Sequence, residues 1–187
     1  MGEASPEIRL VDNYHDHPAY LRALADSIRT TWAEKRQPDR LLFSFHGIPD
    51  RYRRNGDPYR EQCEATAWGV AAELGLDANT WQMAFQSRFG PEPWLQPYTD
   101  ETLETWGQEG IGSVHVICPG FSADCLETVD EIGREARHTF LSAGGQDFHY
   151  IPALNDQPDH VTALTEILLE HMQDWHREPE NSQEIEK

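Results

Sequence analysis

Short runs of β-branched and aromatic residues alternate with longer amphipathic stretches, and this alternation constrains the fold more than any other feature of the chain. The runs cover residues 8–11, 41–45, 81–85, 113–117 and 148–151; the helical patterns cover 18–32, 57–74, 99–109, 124–141 and 158–175. A strand followed by a crossover helix pairs in parallel with the next strand. The runs are apolar almost throughout, as strands buried on both faces are. The pattern therefore predicts an α/β three-layer sandwich, with a mainly parallel sheet of about four strands and helices on both faces. Asp16 and Pro18 read as cap and first-turn residues of the first helix, and Gly75 as the stop of the second.

Residues 1–36 read as a leading strand and helix packed on the domain, 37–175 as the α/β domain itself, and 176–187 as a polar tail that frays. No internal repeat and no low-complexity tract interrupts this order.

In such sheets ligands bind beyond the carboxyl ends of the strands. The loops that matter begin HGIPDRYRRNGDP, QSRFGPEPW, CPGFSADCLET and PALNDQP. None is a GxGxxG or a P-loop, so phosphate cradling is not indicated. His46 directly follows the strand LLFSF, which holds its imidazole on a rigid element where it can ligate a divalent metal or take a proton. A histidine bonded to a neighbouring backbone group is the plainer alternative. Glu127, Glu131 and Glu135 recur every four residues and would stack on one helix face, with Val129, Ile132, Ala136 and Phe140 opposite. Such a carboxylate row is favourable where cations or protons pass along it; neutralised by Arg134 and His138, it would be an ordinary solvated face. The His15 and His17 pair reads as a helix start. Trp81, Trp94, Trp106 and Phe121 could flank a flat aromatic ligand, although core packing is the usual role of such residues. Trp94 and Phe121 differ in lying on crevice-side loops. No serine nucleophile elbow, HExxH or cysteine–histidine signature is present.

Composition narrows the partners. Against 33 acidic residues stand only 15 Lys and Arg, a formal charge of −18, which argues against a nucleic-acid partner. No apolar run reaches the 18 residues of a membrane span, and the opening MGEASPEIRLVDNYHD lacks the basic start and apolar core of a secretory signal. A cytoplasmic setting is expected, with weak membrane association at most. Cys63, Cys118 and Cys125 form no CxxC pair, which predicts reduced thiols and no iron–sulfur cluster.

The strings LLFSFHGIPDRYRRNGDPY, WQMAFQSRFGPEPWLQPYTDETL, VHVICPGFSADCLETVDEI and ALNDQP, in this order and at these intervals, closely resemble the C-terminal half of bacterial ferrochelatases. The likeness runs from about Arg9 to Gln173. It implies a chelatase-like half domain and insertion of Fe(II) into protoporphyrin or coproporphyrin in haem biosynthesis. Ferrous iron would be a substrate, and no organic cofactor is expected. The resemblance gives catalytic roles to His46 and Glu127, adds Glu131 and Glu135 as metal or proton groups on a helix with a widened π-type turn, and places Ile48, Ser87, Trp94 and Phe121 along the porphyrin pocket. Family members have roughly twice this length, so the partner would be the N-terminal half or a second copy, besides porphyrin and iron. Three alternatives stand beside this: a porphyrin- or metal-binding half domain without turnover, a half-size homodimeric tetrapyrrole chelatase for another metal, and a binding domain of periplasmic type, against which the opening of the chain weighs.

Overall fold

The computed structural model describes residues 8–173 and 175. Four strands, β1 (Arg40–His46), β2 (Trp81–Gln86), β3 (Ser113–Ile117) and β4 (Asp147–Ile151), form one sheet in the order β2-β1-β3-β4. All three pairings are parallel. The chain leaves β1 to one side for β2 and returns to the other for β3. A crevice therefore opens beyond the carboxyl ends of β1 and β3, where the strand order reverses.

Among the described residues there are eight helical segments besides: α1 (Pro18–Lys35), α2 (Asp50–Arg54), α3 (Tyr59–Leu74), α4 (Thr99–Gln108), α5 (Leu126–Val129), a π-helix (Glu131–Ala136), α6 (Arg137–Ser142) and α7 (Pro158–His171). Strand alternation sorts the core into two clusters. Leu41, Phe43, Phe45, Ile117 and Ile151 face α1, α3 and α7. Leu42, Ala84, Val114, Val116 and Phe148 face α4, the π-helix and α6. This is the expected three-layer sandwich. Each fully buried aliphatic or aromatic side chain here contributes on the order of 1.5–3 kcal/mol.

Several sequence expectations need correction. Residues 8–11 form no strand; Ile8 and Leu10 are exposed, and the segment is tied instead to the end of α7, where Arg9 Nη1 donates to the His171 carbonyl at 2.7 Å. His17, not Asp16, caps α1: its Nδ1 accepts from the Ala19 amide. The helix expected from residue 57 starts at Tyr59, whose amide Asp57 accepts, and the short α2 precedes it. The helix expected to reach residue 175 ends at His171, and the one over 124–141 is three segments. The tail at 176–187 lies outside the described residues. Among the described residues no helix is long and apolar enough to cross a membrane.

Candidate functional site

Parity along the strands decides where the site lies. Ser44 and His46 follow Leu42 on the same side of β1, Gln86 follows Ala84 on β2, and Cys118 follows Val116 just past β3. The face that is apolar lower down thus ends in a polar row at the crevice. His46 pairs in register with Gln86. The π-helix packs on that same face through Ile132 and Ala136. The imidazole and the acidic segment therefore stand on one side of the sheet.

His46 is half-buried, and its Nδ1 lies 2.6 Å from the Gly47 carbonyl. A carbonyl only accepts, so Nδ1 carries the ring proton and Nε2 presents a lone pair. Trp94 and Phe121 border the ring, with centroids at 6.5 and 6.2 Å. Gly47 has no side chain because none fits: a Cβ there would lie 2.9 Å from the Gln86 carbonyl and 3.1 Å from the Trp94 ring.

Glu127 sits in the first turn of α5 and is partly exposed. The Cys125 thiol and its own backbone amide hold its carboxyl below the ordinary range. Its backbone carbonyl accepts from Gln86 Nε2 at 2.7 Å. Glu131 is gripped at both oxygens, by the Ser87 amide at 2.7 Å and the Ser87 hydroxyl at 2.6 Å. Ser87 adopts φ 63°, a left-handed conformation uncommon for a residue with a side chain, and this turns its amide and hydroxyl the same way. Glu135, largely exposed, lies 3.4 Å from Arg134. Together with Ser87, Arg88, Asp100 and Glu131 it lines a hollow of about 300 Å³.

The widened π-type turn that the resemblance implied is present in this segment. The Glu135 amide donates five residues back to Asp130, a π-type bond that widens the turn. Glu131 and Glu135, four residues apart, line the same hollow. Val129, assigned to the buried side, is exposed, while Ile132, Ala136 and Phe140 are buried. Among the described residues no three His, Cys, Asp or Glu side chains converge into a ligand set, so His46, Glu127, Glu131 and Glu135 do not form one ready-made metal cage.

The residues expected along a porphyrin wall divide. Trp94 is buried under Phe89, and Phe121 is partly buried against the core. Ile48 packs partly against the other cluster, its carbonyl accepting from Leu95. Ser87 is committed to Glu131. Trp106 is core, and Trp81 packs edge-on to Phe43 and Trp68. A larger hollow of about 360 Å³, lined by Tyr14, Tyr20, Tyr59 and Cys63, lies against the opposite sheet face and includes neither His46 nor the acidic segment. Volume alone therefore points away from the chemistry.

Sequence reading missed the residues that hold the helix start. Asp124 accepts from Tyr150 Oη (2.6 Å), Asn155 Nδ2 (2.8 Å), Thr128 Oγ1 (3.1 Å) and the Ala153 amide (3.2 Å). Burial alone would raise its carboxyl, but these bonds outweigh it and hold it low. The signal was available: an Asp four residues before a Thr at a predicted helix start is a capping pattern.

Residues 1–172 match the family model described as Ferrochelatase. A protein of Nitrosococcus oceani named ferrochelatase is 52% identical over 170 residues, 91% of this chain and 46% of that one. The ferrochelatase of Hydrogenovibrio crunogenus is 55% identical over 170 residues, 91% and 45%. That of Aromatoleum aromaticum is 53% identical over 180 residues, 96% and 49%. The chain spans about half the length of the curated relatives it matches.

Proposed function

Because the chain belongs to the ferrochelatase family, we propose that it supplies the metal-site half of an enzyme inserting Fe(II) into protoporphyrin or coproporphyrin. The observation that carries this reading is the shared sheet face: a free imidazole lone pair at the end of β1 and a carboxylate at the start of α5, tied together at the switch point. Insertion exchanges two pyrrole N–H protons for one ferrous ion. His46 Nε2 takes a pyrrole proton or briefly ligates iron. The Glu127 carboxylate, kept ionised by its hydrogen bonds, receives the metal or the second proton from the other side. Glu131 and Glu135 extend the negative charge along the π-helix toward solvent, which favours an incoming divalent cation. Trp94 and Phe121 offer apolar ring faces beside the imidazole, suited to a flat macrocycle. Ile48 and Ser87 complete that wall in this reading, Ser87 from behind Glu131.

The second wall comes from a partner, either the N-terminal half that the longer relatives carry or a second copy of the chain. In this reading residues 37–175 are the domain proper, and the described part of the leading segment, 8–36, packs on it. Free thiols at Cys63, Cys118 and Cys125 support a reducing, cytoplasmic setting.

The test is anaerobic iron insertion, followed through the Soret band, with the chain alone and with an N-terminal half added. Glu127→Gln should cut insertion by roughly 100-fold or more, as loss of a general acid–base group does, with folding intact. Near-normal turnover in that variant removes Glu127 from the mechanism. Porphyrin binding without conversion to haem in both preparations would favour a binding half domain instead.

A further inference from the structure

We infer that Gln86 is a positioning residue that fixes the separation of His46 and Glu127; the inference rests on the functional reading above. Gln86 is almost wholly buried, and an amide in that position is costly unless its polar atoms are bonded. Its Oε1 accepts from Ser44 Oγ at 2.7 Å and from Cys118 Sγ at 3.4 Å, while its Nε2 donates to the Glu127 carbonyl at 2.7 Å. The Glu127 carbonyl can only accept, so the amide faces it with its NH2 group. The Gln86 main-chain carbonyl accepts from Gly47, the residue after His46, at 2.8 Å.

These bonds join the three elements that meet at the crevice. Ser44 and Gly47 flank His46 on β1, Cys118 begins the loop after β3, and Glu127 opens α5. Packing alone would be served by an apolar side chain. A carboxamide instead sets a fixed distance and direction between the imidazole strand and the carboxylate helix. Gln86 itself touches no substrate in this reading; it acts through Glu127, which stands on a single short turn where His46 stands at the end of a strand. α5 is only four residues long and cannot hold its own orientation by helix stability.

The test is a double-mutant cycle between Gln86→Met and Glu127→Gln, read as Co(II) affinity by calorimetry on the chain as it stands. Only the binding component that His46→Ala abolishes is counted. Methionine keeps length and burial but removes the donor and acceptor. If Gln86 works by placing Glu127, Q86M weakens Co(II) by about tenfold in the parent chain. In the E127Q background it changes affinity by less than about twofold, because nothing remains to be placed. An equal loss in both backgrounds, or no loss in either, overturns the inference. Unchanged Co(II) affinity in E127Q alone overturns the role of Glu127, and this inference with it, which separates the two failures. Should Q86M not fold, Ser44→Ala decides by the same criteria, since it removes one anchor of the amide and leaves its bulk in place.

Discussion

Gly47 shows how much one residue carries at the crevice. It follows the proposed base directly, donates to Gln86 across the β1–β2 pairing, and lies under the Trp94 ring. A methyl group there meets backbone on one side and an aromatic ring on the other, so neither neighbour yields easily. Gly47→Ala should lower stability by about 1–3 kcal/mol, as overpacking does, seen as a lower thermal midpoint. The same variant should slow metal insertion, because relief requires the His46 end of β1 to move. A midpoint equal to that of the parent would show that Trp94 simply turns aside. His46 itself was legible in the sequence, since its place after an apolar strand fixed its exposure to the crevice. The identity of its free nitrogen was not, because that depends on a 2.6 Å contact with the Gly47 carbonyl.

At the level of elements, the segment from Asp124 to Ser142 departs most from a periodic helix. Its apolar spacing is that of one continuous helix, and Ile132, Ala136 and Phe140 are buried accordingly. The break into α5, π-helix and α6 comes from contacts distant in sequence: Ser87 on Glu131, Gln86 on Glu127, and Tyr150 and Asn155 on Asp124. Local spacing cannot encode a widened turn that a neighbouring strand end holds open. Asp124→Asn keeps the shape but sets a donor group among the donors of Tyr150, Asn155 and Thr128. Removing one partner of this network should cost about 1–3 kcal/mol, measured by urea unfolding. Amide exchange over residues 125–130 should speed up while α1 and α3 stay protected. Uniform exchange across the chain would mean that Asp124 supports the whole fold and not this segment.

For the molecule as a whole, pH exposes a feature far from the crevice. His115 and His149 face each other across β3 and β4, ring centroids 5.3 Å apart, and His115 Nδ1 is buried without a partner. Burial, reinforced by His149, lowers His115 from 6.5 to about 4; burial also lowers His149, to a smaller and partly exposed degree. The unfolded chain protonates His115 near 6.5 while the folded chain resists until about pH 4, so stability is full above pH 6.5 and is lost as the pH falls toward 4. Urea midpoints taken from pH 7.5 to 4.5 check this, and His115→Asn should flatten the profile. An equally steep profile in that variant would assign the acid sensitivity to the carboxylates.

The sequence by itself determined the layer architecture, four of its strands, the parallel pairing and the loops that meet at one edge. Each of these follows from patterns a few residues long: apolar runs, helical spacing, Gly and Pro punctuation. It also placed His46 and Glu127 in those loops. Residues 8–11 have the composition of a strand, but in the fold they are held against the end of α7 through Arg9 and pair with no strand. Only the tertiary structure decided that the imidazole and the acidic segment share one sheet face and that Gln86 links them. Those outcomes depend on register between strands and on single hydrogen bonds spanning 41 and 44 residues, and no local pattern in a chain specifies contacts of that range.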